Sequence, residues 1–288
     1  MDEVLLPTTV DELVEGRAAH PDALLLAGGT DLMVAVNAGA LPVPGVIALR
    51  GVDGLRGWRR EGDEVVVGAA TTYADLLAPD VAALLPGMAQ ASRTVGSPQI
   101  RSTGTLGGNL GTASPAGDAL PVLVALGATV ELRSPGGVRS LPVGELLTGP
   151  KRTALAPDEV ITSARLPVAR GPQQYRKVGV RNAMVISVAS VALAVDVEAR
   201  TVGVGLGSVG PVPLPAPDAC AFAVDAVDWA TGALHEPGAA DRFGELAAAA
   251  CSPIDDHRST AAYRRHAVRV LAARALATAC PPATGAAA

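Results

Sequence analysis

Apolar residues fall in short runs separated by glycine, proline and charged turns, and the runs alternate between helix-like and strand-like spacing. Thr9-Val10-Asp11-Glu12 reads as a capping box opening a helix that runs to about Ala19, and Pro21 stops it. The apolar run 23–26 reads as a buried strand that delivers the sequence AGGTDL, residues 27–32, at its C-terminal end. Runs 46–49 and 64–67 read as further strands, separated by a charged turn region over 59–63. Helical patterns occupy about 72–77 and 80–94. From Ile100 glycine density rises and helix signals vanish, so regular structure is expected to resume only at Asp118, an N-cap for the apolar segment 119–126. Strands follow over 129–133 and 160–166, and the Pro/Gly-rich stretch 167–172 reads as a boundary. The second unit has strand runs 184–197 and 201–207, a proline-studded 211–217, and helices at about 240–250 and 258–279. Val202, Val204 and Leu206 alternate with glycines, which suits a sheet packed closely against something.

Composition narrows the class. The chain has 288 residues, enough for two or three compact units. Hydrophobic residues make up 49 %, yet with two Phe, two Trp and three Tyr the core must be aliphatic. A formal net charge of −5 without a basic cluster argues against nucleic acid, and the run Tyr263-Arg264-Arg265-His266 is too short to change that. Cys220, Cys251 and Cys280 are dispersed and suggest neither a disulfide framework nor a metal or iron–sulfur site. Met1-Asp2-Glu3 lacks the features of a secretory signal, and no apolar stretch reaches the roughly 18 residues of a spanning helix, so a soluble cytoplasmic protein is expected. The Ala/Pro tail over 280–288 reads as an unstructured end.

Candidate chemistry concentrates in two glycine-rich stretches, AGGTDL and GTLGGNLGTASPAGD at 104–118. Glycine lets the main chain approach a ligand, so consecutive N–H groups can converge on an anion; Gly28, Gly29, Gly107 and Gly108 are the candidates. Neither stretch carries the Lys-Ser/Thr pair of a phosphate-hydrolysing loop. Each alone is equally explained as a turn. Gly205-x-Gly207-x-x-Gly210 matches the dinucleotide fingerprint by letter, but Pro211, Pro213, Pro215 and Pro217 forbid the helix that fingerprint must open. His20, His235, His257 and His266 show no catalytic or metal spacing, and Asp255-Asp256 reads as a solvated helix start. Asp118 could cap a helix or bind a ligand hydroxyl; Lys177 alone reads as a surface lysine.

AGGTDL after a short strand, followed some distance on by IRSTGTLGGNLGTASPAGDALPVLVALGATVEL, resembles the FAD-binding medium subunit of molybdenum hydroxylases, the xanthine dehydrogenase and aerobic carbon monoxide dehydrogenase type. ISVASVALAVD (186–196), GLGSVGPVPLPA (205–216) and AYRRHAVRVLAARAL (262–276) extend the resemblance over nearly the whole chain. It implies an α+β fold: a PCMH-type FAD-binding domain of two α/β subdomains, residues 1–169 divided near 52, then a small C-terminal α/β domain over 172–279. By the same resemblance Leu25, Leu26, Ala27, Gly28, Gly29, Thr30, Asp31 and Leu32 form the first pyrophosphate-binding turn. Thr105, Leu106, Gly107, Gly108 and Asn109 form the second, with Thr112 beside it. Asp118 falls where the family contacts the flavin's sugar-alcohol chain, while Ile161 and Lys177 fall near its ring. One departure is Val95, at the position that carries a ring-contacting phenylalanine in the animal enzymes.

The implied role is electron transfer. FAD would take electrons from iron–sulfur clusters and pass them to NAD, quinone or oxygen, with no protein nucleophile needed. The implied partners are a molybdopterin-binding large subunit and a [2Fe-2S] small subunit, assembled as a dimer of heterotrimers. Two rivals remain open: a free-standing flavin reductase of the same fold superfamily, and a non-catalytic assembly subunit.

Overall fold

The strand Leu24–Leu26 and the short strand Val4–Leu5 both pair in parallel with Val46–Ala48, making a three-stranded sheet. The computed structural model describes residues 4–282. Helix Val10–Ala19 covers this sheet and opens on the expected capping box, the Thr9 hydroxyl accepting from the Glu12 amide. Leu13, Ile47, Leu55 and Val160 close the small core beneath it. Short parallel strands leave their C-terminal ends free, so the turn after Leu26 is exposed to whatever lies beside the sheet.

The next sheet is antiparallel, in the order Trp58–Glu61, Glu64–Gly68, Val160–Pro167, Thr129–Ser134, Gly137–Pro142. Two of its strands escape the sequence reading. Trp58–Glu61 overlaps the segment expected as a charged turn, and Gly137–Pro142 is almost wholly exposed. Both are edge strands, where charge and polarity guard against pairing with another chain. A bulge between Ile161 and Ser163 interrupts the register against Thr129–Ser134.

Helix signals also needed correction. The expected helix 80–94 is two helices, Pro79–Leu84 and Pro86–Thr94, because Pro86 has no N–H to donate and drives Leu85 out of helical geometry. The segment expected to lack a helix forms one, Leu106–Thr112, capped by Thr105 and ended by Ala113 in the left-handed region at φ 48°. Leu106 and Leu110, one turn apart, bury its inner face. Asp118 caps nothing: the next helix, Leu120–Ala125, begins after Ala119 without a side-chain cap.

The C-terminal unit is a four-stranded antiparallel sheet of Gln173–Val178, Ala189–Asp196, Thr201–Gly207 and Leu214–Pro215. The strand expected from 184 thus starts at Ala189. One face packs against helices Pro217–Ala226, Ala239–Ala249 and Ala261–Ala279. The other receives helix Leu120–Ala125. A Cβ on Gly203 would lie 1.9 Å from the Ala125 carbonyl oxygen, and one on Gly205 1.9 Å from that of Pro121. Of the rejected fingerprint glycines, Gly205 therefore serves backbone-to-backbone contact between sheet and helix, while Gly207 and Gly210 are pressed by side chains, those of Ser190 and Leu214.

Arg264, from the run read as a short basic patch, is buried. Its guanidinium donates to the carbonyls of Val188 and Ser208 and to Asp256, so Asp256 is an anchor and not a solvated helix start. Cys280 is also buried, and Pro282 bridges to Leu234, so the tail is docked at least to there; 283–288 lie outside the described residues. No helix among the described residues is long and apolar enough to cross a membrane.

Candidate cofactor site

The two glycine stretches meet. A Cβ on Gly28 would lie 1.9 Å from the carbonyl oxygen of Thr103, so the first turn presses its backbone directly onto the start of the second stretch. Gly29 then turns with φ 69°, open to glycine at little cost, and the chain enters helix Leu32–Asn37. The amides of Gly28, Gly29, Thr30 and Asp31 have no acceptor among the described residues. The second stretch differs. The amides of Leu106 and Gly107 donate to Thr71 and Ala69 carbonyls, Asn109 to that of Thr105, and Gly108 to the Thr105 hydroxyl. Gly107 has no room for a side chain because Ala69 sits within 2.6 Å of its Cβ position. The expected reason for these glycines, ligand approach, is therefore corrected for Gly28 and Gly107: what presses on them is neighbouring chain.

Around this junction lies a cavity of about 610 Å³, within the size range of cofactor pockets. Of the residues singled out from sequence, Leu25, Ala27 to Leu32, Thr105, Gly107 to Asn109, Thr112, Asp118 and Ile161 line it. Leu26 and Leu106 face the protein instead: Leu26 packs over Gly29, and Leu106 is fully buried in the core. Ile161 reaches the cavity at the bulge of its strand, a usual place for a strand to redirect a side chain. Val95 lines the cavity as well.

Lys177 stands behind Asp118. Its ammonium lies 2.7 Å from the Asp118 carboxylate and donates also to the Thr94 carbonyl at the end of helix Pro86–Thr94. Tyr175, two residues earlier on the same strand face, donates its hydroxyl to the other Asp118 oxygen at 2.8 Å. Both side chains of the ion pair are nearly inaccessible, Lys177 at 6 % and Asp118 at 9 %. The surface-lysine and helix-cap readings both fail, because each residue's partner is supplied by the other unit. Burial pushes the Asp118 carboxyl up, while Lys177 and the Tyr175 hydroxyl pull it back. Burial and the Asp118 charge raise Tyr175 well above its ordinary value, so it remains a donor.

Several lining residues gave no warning in the sequence. Tyr73 lies in a segment read only as helical, and Lys151, at φ 55°, in a hairpin read as nothing. Met184, Val185 and Ile186 belong to the loop before Ala189, which the apolar pattern had assigned to a strand. A capped Thr105 with leucines at 106 and 110 was the signal that could have located the helix within the glycine stretch.

The unpartnered amides at 28–31, and the buried Asn109 Oδ1, which has no hydrogen-bond partner, show a cavity wall whose polar groups await a ligand. Fold and site together define a protein that holds a dinucleotide-sized cofactor. Residues 1–169 match the model of the FAD binding domain in molybdopterin dehydrogenase, and 173–279 that of the CO dehydrogenase flavoprotein C-terminal domain. The chain belongs to the FAD-binding medium subunits of the molybdenum hydroxylases, and its cofactor is FAD. It is 33 % identical to the nicotine 6-hydroxylase medium subunit of Paenarthrobacter nicotinovorans over 94 % of each chain. It is 34 % identical to the carbon monoxide dehydrogenase medium chain of Afipia carboxidovorans over 88 % of each. In three dimensions it matches the reconstituted CO dehydrogenase from Oligotropha carboxidovorans with a TM-score of 0.87, 29 % identity and 96 % coverage of both chains.

Proposed function

We propose that the chain is the electron-transfer subunit of a molybdenum hydroxylase, holding FAD in the cavity between its glycine stretches. The carrying observation is the junction itself: unpartnered amides from Gly28 to Asp31 on one wall, Asn109 and Thr112 on the other, and the buried Asp118–Lys177 pair behind. The amides of the first turn hold the pyrophosphate. Thr105, Gly107 and Gly108 shape the opposite wall, Asp118 orients the sugar-alcohol chain, and Ile161 abuts the ring. Lys177 acts through Asp118. Bound FAD supplies the capacity to take electrons singly and release them in pairs. The protein's part is to bind and orient it, and the named medium subunits of nicotine hydroxylase and carbon monoxide dehydrogenase support this division of labour.

On this reading the FAD unit is residues 1–169, in subdomains divided near 52, and the C-terminal unit is 172–279. A molybdopterin-binding large subunit and a [2Fe-2S] small subunit complete a dimer of heterotrimers, electrons arriving from the clusters and leaving to NAD, quinone or oxygen. The test is purification with and without added FAD. A yellow protein that co-purifies with its iron–sulfur and molybdenum partners is expected; a protein colourless even after FAD addition sinks the reading.

A further inference from the structure

The phenol of Tyr73 is a further polar group of the cavity that the fold does not account for. Tyr73 is 5 % exposed, and it is the one aromatic residue among those lining the cavity. Its ring packs in the core of the five-stranded sheet. Its amide donates to the Gly104 carbonyl at 3.1 Å, and a Cβ on Gly104 would touch both the Tyr73 ring and the Thr30 hydroxyl, each at 3.4 Å. Tyr73 is therefore fixed beside the junction of the two glycine stretches. Yet its hydroxyl has no hydrogen-bond partner among the described residues. The contrast with Tyr175 is direct, since that equally buried phenol is given Asp118 at 2.8 Å. A phenol hydroxyl that the protein leaves unpartnered takes its hydrogen-bond partner from whatever occupies the space it faces. The Tyr73 hydroxyl is not sealed within the core, so it opens on the cavity.

We propose that Tyr73 is a further cofactor-binding residue, its hydroxyl donating a hydrogen bond to an oxygen of the pyrophosphate–ribityl span of FAD. This rests on the reading of the cavity as the FAD site. Burial first, and then the negative charges of Asp118 and Asp31, push the phenol well above its ordinary pKa and keep its proton in place. A neutral donor of that kind suits the anionic or hydroxylic middle of a dinucleotide and offers nothing to the flavin ring by stacking, because the ring of Tyr73 is itself packed.

The test is Tyr73→Phe, which keeps the ring and removes the oxygen. FAD is titrated into the deflavinated full chain, wild type and variant, following flavin fluorescence, and the melting of both FAD-free proteins is compared. The expected result is FAD binding about tenfold weaker in the variant, the scale of one hydrogen bond to a polar or charged acceptor, with unchanged melting of the FAD-free form. Equal affinities overturn the proposal while leaving the FAD reading intact. Loss of stability in the FAD-free variant with no change in affinity also overturns it, as that is the mark of a purely structural hydroxyl. Failure of the wild type to bind FAD removes the reading on which the proposal rests.

Discussion

A methyl group on Gly28 would meet the carbonyl oxygen of Thr103 at 1.9 Å, a distance no small adjustment relieves because the obstacle is backbone. Gly28→Ala is therefore expected to destabilise the FAD-free protein by about 3 kcal/mol or more. Gly111 is the opposite case, a helical glycine lining the cavity with nothing within 4 Å of its Cβ position. Gly111→Ala is expected to gain about 0.5–1 kcal/mol in the FAD-free protein. Urea denaturation of both variants separates glycines required by the chain from those that leave room for a ligand. Lys177→Met tests the second residue-level feature. It leaves the Asp118 carboxylate buried without its cation and is expected to cost about 3–5 kcal/mol. Adding Asp118→Asn should recover part of that loss, and a double-mutant cycle measures it. Spacing and composition drew attention to these glycines, but the purpose of Gly28 and Gly107 was hidden, because the atoms that press on them come from Thr103 and Ala69. Asp118 and Lys177 were hidden more deeply. Fifty-nine residues separate them, and neither residue type announces such a partner.

At the scale of elements, what was legible was local. The Thr9–Glu12 box needs only four consecutive residues, and the strand before AGGTDL only an apolar run. Helix Leu106–Thr112 was not legible, because glycine's poor helix propensity masked a cap and two core leucines that tertiary packing rewards. The loop 184–188 failed for the converse reason: its apolar side chains face the cavity and its surroundings, not a sheet. Asp256 shows how an element is held by contacts that sequence does not display. Burial alone would raise its carboxyl, but the Arg258 amide and the guanidinium groups of Arg258 and Arg264 outweigh it and hold the group well below its ordinary value. A depressed folded-state value means this contribution is complete above the ordinary carboxylate range and is lost as pH falls through that range toward the folded value. Asp256→Asn is expected to be less stable at neutral pH and to lose less stability than wild type on acidification below about pH 4. Unfolding followed by the fluorescence of Trp229, which packs in the C-terminal core, checks both.

At the scale of the molecule, the C-terminal sheet and the FAD unit share a wall. Tyr175 and Ala192 from the sheet belong to the same hydrophobic cluster as helix Leu120–Ala125. Trp58 packs against that cluster and Trp229 against the C-terminal one, so the two tryptophans report the two sides separately. In wild type the two signals are expected to be lost together. Gly205→Ala, which sets a methyl group against the Pro121 carbonyl oxygen, is expected to separate them, with midpoints that differ in a urea titration of single-tryptophan variants. Coincident midpoints in that variant would show that the wall does not couple the two sides.

That same contact constrains how such subunits can be recombined. A chimaera that joins the first 169 residues of this chain to the C-terminal half of a relative respects the chain's Pro/Gly-rich seam, but it must still rebuild this contact. Gly203 and Gly205 on one side are matched in shape to the carbonyls of Ala125 and Pro121 on the other. The exchangeable unit is defined by that fit, and a graft holds only where glycines again meet the helix carbonyls.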